Sequence, residues 1–300
     1  MASWGLVTTL KAPDEKVLAF AAHHLELGAG HLALYFDDPE ARIPEVLASH
    51  PKITATRCDA AHWDRIGVRP PLHQNRQVRN ARDASLLART EWLAHIDVDE
   101  FILADRPLAD ILSEVPPAQL VLKIEPFEAM HDPNLPDDIF TAQTFRGAIR
   151  DENWPLRETV LGQYRTCIRD GLLSHGVGKL FFRTGVRGLF PRIHTVRLKG
   201  EHVPTPLWHP GLKLLHFHAQ DRQAWLDALP FRLTLGAYQF NKELQAFLHS
   251  ASPEDIDRFY QVTQVLTPES LEALQSIGRV LIAELGLRRK VSALLAGDLG

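Results

Sequence analysis

Cysteine is scarce in this chain of 300 residues: Cys58 and Cys167 stand far apart and form no Cys-x-x-Cys pair. That argues against a disulfide framework or a thiolate zinc site and suits a reducing compartment. Long apolar runs are missing as well, since no stretch approaches the roughly 18 to 20 uninterrupted apolar residues of a membrane span. There is no basic excess either, and a formal net charge of −4 gives no general pull toward nucleic acid or an anionic membrane. The opening "MASWGLVTTLKAPDEK" has neither a basic n-region nor a long apolar core, so it does not read as a signal peptide. No internal repeat, low-complexity segment or clear linker interrupts the chain. The expectation is a cytoplasmic globular protein, long enough for one large domain or two small ones.

What is present is an alternation of two patterns. "WGLVTTL", "HLALYFDD", "ITATRCD" and "WLAHIDVDEF" read as strands. Between them "DEKVLAFAAHHLELGAG", "PEARIPEVLASHP" and "NRQVRNARDASLLARTE" carry apolar residues at helical spacing. Strands separated by helices of this length imply βαβ units, an α/β fold and a mostly parallel sheet flanked by helices. Further strands follow in "QLVLKIEPFEAMHDPN", "GKLFFRTG", "GLFPRIHTVRLKG" and "LKLLHFHAQD". From Asp221 the pattern turns helical, which suggests a catalytic domain over 1–220 and a helical C-terminal extension over 221–300. A single apolar stripe, Leu271, Leu274, Ile277, Val280, Leu281 and Leu285, predicts one amphipathic helix near the end. The basic "LRRKVSALLAG" after it leaves a peripheral membrane contact open, at the inner membrane of a bacterial cell.

In open α/β sheets ligands bind beyond the carboxyl ends of the strands. Those ends hold Thr8, Thr9 and Lys11, then Asp37 and Asp38, then Asp97, Asp99 and Glu100. Asp-x-Asp alone is weak, and the chain contains its own control. Asp255 and Asp257 repeat the pattern in the first turn of a helix, where capping and the helix dipole explain acids. Asp97 and Asp99 instead end a strand. In an extended chain they project to one side, and two near carboxylates repel unless a cation lies between them. Mg²⁺ and Mn²⁺ prefer such oxygens and share sites with phosphates, which points to a metal-diphosphate site.

"LVTTLKAPDEKVLAFAAHHLELGAGHLALYFDD", "RNARDASLLARTEWLAHIDVDEFI" and "LKLLHFHAQD", in that order over about the first 220 residues, resemble a GT-A fold glycosyltransferase of the bacterial family 2 and family 92 neighbourhood. The most specific piece is the basic helix followed by Trp-Leu and D-x-D-E-F. The resemblance implies a Rossmann-like GT-A sheet and transfer of a sugar from a nucleotide donor, UDP-linked, with Mn²⁺ or Mg²⁺. It implies that Thr8, Thr9 and Lys11 line the nucleoside pocket and that Asp37 contacts base or ribose. Asp97 would contact ribose or the metal shell, Asp99 the metal and diphosphate, and His216 would complete the metal site. Acceptors in this neighbourhood are surface polysaccharides or lipid-linked glycans. Two departures stand out: Ala12 to Asp14 replace the usual Asn-Glu, and "DDPE" shortens the pattern after strand two.

Arg76, Arg79 and Arg82 recur every three residues, and Arg forks match the donor's phosphate oxygens, although a solvated basic face has the same pattern. "HFH" places His216 and His218 on one side of a strand, and imidazole suits Mn²⁺. "SHGVGKLFF" is not a phosphate loop, because Leu173 and Leu180 stand where Gly and Ser or Thr are needed; Lys179 could still reach a phosphate. An inverting enzyme needs a general base. Glu125, Glu128 and Asp132 follow a strand about thirty residues beyond the acidic motif, and Glu128 is the first candidate. Two alternatives remain: a sugar-phosphate nucleotidyltransferase, for which the Gly-rich basic loop after strand one is missing, and a non-catalytic nucleotide- or sugar-binding protein.

Overall fold

The structure, a computed structural model, describes residues 1–150 and 153–299. In chain order the first elements are β1 (Trp4–Leu10), α1 (Asp14–Glu26), β2 (His31–Phe36), α2 (Glu45–Ala48), β3 (Ile53–Arg57), α3 (Ala60–Ile66) and α4 (His73–Leu87). Next come β4 (Trp92–His95), β5 (Glu100–Ala104), α5 (Leu108–Ser113), β6 (Val121–Ala129), β7 (Thr144–Gly147), α6 (Trp154–Leu161) and β8 (Lys179–Arg183). A small hairpin group follows, β9 (Leu189–Pro191), β10 (Val196–Leu198) and β11 (Glu201–His202), and then β12 (Trp208–His216). The chain finishes with α7 (Arg222–Thr234), α8 (Lys242–Ser250), α9 (Pro253–Gln264), α10 (Pro268–Ser276), β13 (Val280–Ile282) and α11 (Leu287–Ala296).

Two compact units result. The first comprises Met1–Glu125, Gly178–Leu214 and Gly286–Gly300; the second comprises Pro126–Val177 and Leu215–Leu285. The chain therefore passes between them four times, and β6 and β12 each run from one unit into the other.

The first unit is a mixed α/β layer structure. Strands β3, β2, β1 and β4 are parallel neighbours, and β8 lies antiparallel beside β4. The first half of β6 is antiparallel to β8. All seven residues of β1 are buried, as a central parallel strand covered on both faces requires. The sheet packs on α4 through Val7, Tyr35, Ala81, Ala84 and Leu93. In α4 the buried positions Gln77, Asn80, Ala81 and Ala84 follow helical spacing, so an otherwise polar helix has one inward face. Beyond it β9, β10 and β11 form a separate antiparallel sheet. In the second unit, the end of β6 pairs with β7 and β7 with β13, both antiparallel. The helices α6 to α10 enclose a core that includes Val160, Tyr164, Trp225, Leu244, Phe259 and Leu274.

The α/β alternation and mostly parallel sheet anticipated from the sequence are present in the first unit. Four local expectations change. The helix expected over "PEARIPEVLASHP" is reduced to the four residues of α2, because Pro39 and Pro44 cannot donate the backbone bonds a longer helix needs. An unexpected helix, α3, is nucleated by Asp59, whose side chain accepts from the His62 N–H. The fourth strand stops at His95, and Asp97 and Asp99 lie in a turn rather than on one side of an extended strand. The late apolar stripe is not one helix: α10 ends at Ser276, Gly278 takes φ +64°, and Val280 continues as β13. A left-handed residue without a Cβ ends the helix, and pairing with β7 uses the following apolar residues.

The last helix, α11, belongs to the first unit and packs on α1. Arg289 forms a forked pair with Glu26 at 2.7 and 2.8 Å, and Lys290 Nζ lies 3.1 Å from His23 Nδ1. These basic residues thus dock the helix on its own unit. Among the described residues, no helix is long and apolar enough to cross a membrane.

Candidate active site

Three adjacent parallel strands, β2, β1 and β4, bring Thr8, Thr9, Lys11, Asp37 and Asp97 to one rim of the first unit. The Asp37 N–H donates to Leu10 O at 2.9 Å, and the Ile96 N–H donates to Val7 O at 3.2 Å, so both acidic ends stand against the end of β1. Thr8 and Thr9 are buried there on opposite faces. Thr9 Oγ1 accepts from Asn80 Nδ2 at 3.0 Å, whereas the Thr8 hydroxyl has no hydrogen-bond partner among the described residues. Lys11 is exposed and pairs with Asp38 at 3.3 Å.

The acids of this rim are met by built-in cations. Asp37 accepts a fork from Arg76, Nε and Nη2 both at 2.7 Å, with His73 at 3.4 Å and Arg69 at 3.6 Å. Burial pushes the Asp37 carboxyl up, but bonds and charge from His73 and Arg76 outweigh it and hold the group well below the usual range. Asp97 accepts from Gln77 Nε2 at 2.7 Å on one oxygen and from Lys179 Nζ at 2.6 Å on the other. Glu100, fully buried, lies 3.2 Å from the same ammonium and accepts the Asp97 N–H at 2.7 Å. The Glu100 N–H in turn donates to Asp97 O at 3.0 Å, which closes the turn. Desolvation would depress the Lys179 pKa; the Asp97 and Glu100 carboxylates more than reverse this and raise it. The cation required between converging carboxylates is therefore, for Asp97 and Glu100, the ammonium of Lys179. Behind it His95 is buried, and burial followed by the Lys179 charge pulls its pKa down to about 4, so it is neutral at pH 7.

Arg79 and Arg82 do not share the face of α4 that carries Gln77. At roughly 100° per residue they project about 140° to 160° away from it. Both are exposed and line a cleft with the hairpin strands.

The histidines of "HFH" lie in the second unit. His216, which is buried, ends β12, and the half-buried His218 lies two residues past it, with ring centroids 5.1 Å apart. His175 stands 6.0 Å from His216. His218 Nε2 is 2.9 Å from the Tyr238 hydroxyl, which accepts from Trp225 Nε1 at 2.9 Å. Burial, then the charges of Arg232, His216 and His175, keep the His218 pKa well below its ordinary value, so its ring is neutral. Glu128 is enclosed rather than aimed at a cleft. Its oxygens accept from Leu173 N at 2.7 Å and Ser174 N at 2.5 Å, with Arg146 Nη2 at 3.5 Å. Arg146 itself donates to Thr263 O at 2.8 Å. Both Glu128 oxygens are thus engaged within the second unit. The control motif behaves as capping requires: Ser252 and Asp255 form a reciprocal capping box at the start of α9.

Sequence reasoning missed Gln77, Glu100 as a partner of Lys179, and Tyr238. Only Gln77 had a local signal, a polar residue on the apolar face of a helix.

No family model matches the sequence. No curated protein matches it either. Among solved structures the chain is similar to residues 1–349 of TarS from S. aureus, at 9% identity and a TM-score of 0.38, covering 98% of this chain and 92% of that one. Against a longer TarS structure the identity is 10% and the TM-score 0.34, and the alignment covers 99% of this chain but 53% of that one. HddC from Yersinia pseudotuberculosis aligns at 7% identity and a TM-score of 0.32, over 61% of this chain and 77% of that one. Likenesses of this size assign neither family nor activity.

Proposed function

We propose that the chain is a metal-dependent glycosyltransferase that moves a sugar from a nucleotide-sugar donor, UDP-linked, to a glycan or lipid-linked acceptor. The observation that carries this reading is the convergence of Thr9, Lys11, Asp37 and the Asp97–Asp99 turn at the carboxyl ends of three adjacent parallel strands. A rim of this kind suits a nucleoside diphosphate, with Asp37 and Lys11 toward the nucleoside.

Asp99 is the residue of this rim that we assign to a divalent cation, Mn²⁺ or Mg²⁺, as the resemblance implies. The donor chemistry fits, because both ions prefer carboxylate oxygens and share such sites with phosphates. Asp97 fits a direct ligand role poorly, since Gln77 and Lys179 occupy its oxygens; we assign it to holding the turn that presents Asp99. When bound, the ion supplies Lewis-acid stabilisation of the charge that develops on the departing nucleoside diphosphate. Lys179 adds a fixed positive charge beneath the turn without needing a proton to be moved. No general base is assigned to Glu128.

The test is release of nucleoside diphosphate from a panel of UDP-sugars with and without Mn²⁺. We expect turnover that requires the metal and falls by about 100-fold or more in Asp99→Ala. Nucleotide binding without turnover on any donor would make the chain a binding protein. Full activity in Asp99→Ala would refute the metal assignment.

A further inference from the structure

The outward face of α4 carries a feature that sugar transfer at the strand ends does not use. Arg79 and Arg82, with Arg192 and Arg197 from the hairpin segment, line one cleft of about 480 Å³, together with Phe190 and Pro70. None of the residues lining it is acidic, and among the described residues none of these four arginines makes an ion pair. In a chain of net charge −4, four arginines thus line one concavity that has no acidic residue in its lining.

Three of them are also held in defined positions. The Arg82 guanidinium lies 4.2 Å from the centre of the Phe190 ring, a stacking that fixes its plane and leaves its edge N–H groups to point elsewhere. Arg197 Nη1 donates to Gly200 O at 2.9 Å, which spends one of its five N–H groups. Arg79 rests against Gly67, where φ is +109° and a Cβ would come within 2.6 Å of Arg79 Nη1. Gly67 therefore makes both the turn and the space for that side chain.

Several fixed guanidinium forks beside an aromatic ring and prolines match phosphate oxygens attached to a carbon body. We propose that this cleft binds an organic phosphate, of diphosphate or phosphodiester type, at a site separate from the strand-end rim. The separation follows from α4 itself, whose opposite face supplies Gln77 to Asp97. The inference stands whether or not the chain transfers a sugar. The phosphate could arrive as a soluble molecule or as a lipid headgroup. For the second source, Val68 and Leu72, which flank Pro70 in sequence, are apolar and 83% and 47% exposed.

The experiment uses the full chain in metal-free buffer, so that no cation-dependent phosphate binding contributes. One arm titrates inorganic pyrophosphate by calorimetry. The other measures co-sedimentation with vesicles of phosphatidylglycerol in phosphatidylcholine, against phosphatidylcholine alone. We expect saturable binding in at least one arm, weakening as salt rises. Arg82→Gln and Arg192→Gln should each weaken it about tenfold, the worth of one charged hydrogen bond. Arg82→Lys should recover it only in part, because the fork and the stacking are lost. Arg42→Gln removes an exposed arginine that lies outside the cleft, and should change nothing. Pyrophosphate binding that depends on the cleft identifies a soluble ligand; vesicle binding alone that does so identifies a headgroup. No binding in either arm overturns the proposal. So does an equal loss in Arg42→Gln, or unchanged binding in both cleft variants while their melting temperatures match the wild type.

Discussion

The two faces of α4 treat charge in opposite ways. Toward the sheet, acids and cations are matched: Asp37 with Arg76, Asp83 with Arg65, and Asp97 and Glu100 with Lys179. Toward the hairpin strands, Arg79 and Arg82 stand with no acid partner among the described residues. The difference follows from burial. A charge removed from water is costly unless a partner restores its lost solvation, so the inner face had to be neutralised within the fold. An exposed charge meets no such demand, and its partner can be supplied from outside.

The largest test of that contrast is Lys179→Met. It leaves Asp97 and the fully buried Glu100 without their ammonium, and should destabilise the protein by about 3 to 5 kcal/mol in a denaturant titration. Adding Glu100→Gln should recover part of the loss, and no recovery would show that the ion pairs are not the cause. Arg76→Ala comes next: it strips the fork from Asp37 and should cost about 2 kcal/mol by the same measurement.

Acid should reach the same region through His95. Its folded pKa of about 4 lies below the ordinary value of 6.5, so the unfolded chain takes up the proton first. Its contribution to stability is therefore present above pH 6.5 and is lost as the pH falls toward 4. The slope is at most about 1.4 kcal/mol per pH unit. Melting temperatures should fall with acid across this window, and His95→Gln should remove only the share of the fall that His95 contributes, since burial depresses His23, His24 and His218 as well. The smallest effect is expected on the outer face, where Arg79→Gln and Arg82→Gln should each shift stability by no more than about 0.5 kcal/mol. A larger loss there would mean that those arginines serve the fold, and the contrast between the faces would fail.

Much of the first unit could be read from the chain. Continuous apolar runs such as "WGLVTTL" and the helical spacing of Val17, Phe20 and Ala21 are local signals, and β1 and α1 follow from them. The double His23-His24 gave no clue to its task. His23 bonds Ile102 O at 2.8 Å, and His24 accepts the Ile102 N–H at 3.2 Å, so both polar groups of one β5 residue are served from α1. That pairing spans nearly 80 residues and has no local trace. The break of the fourth strand was equally hidden, because the turn at Asp97 depends on Glu100 meeting a lysine from β8.

By itself the sequence determined the opening β1, α1 and β2, the acidic strand ends and the capped helix at Ser252, since each rests on spacing within a few residues. Tertiary structure decided which charges are spent. Lys179 reaches Asp97 across 82 positions, and Arg76 reaches Asp37 across 39. An ion pair of that kind depends on where two distant side chains are brought in space and on how little water remains there, and neither is a property of any short stretch of the chain.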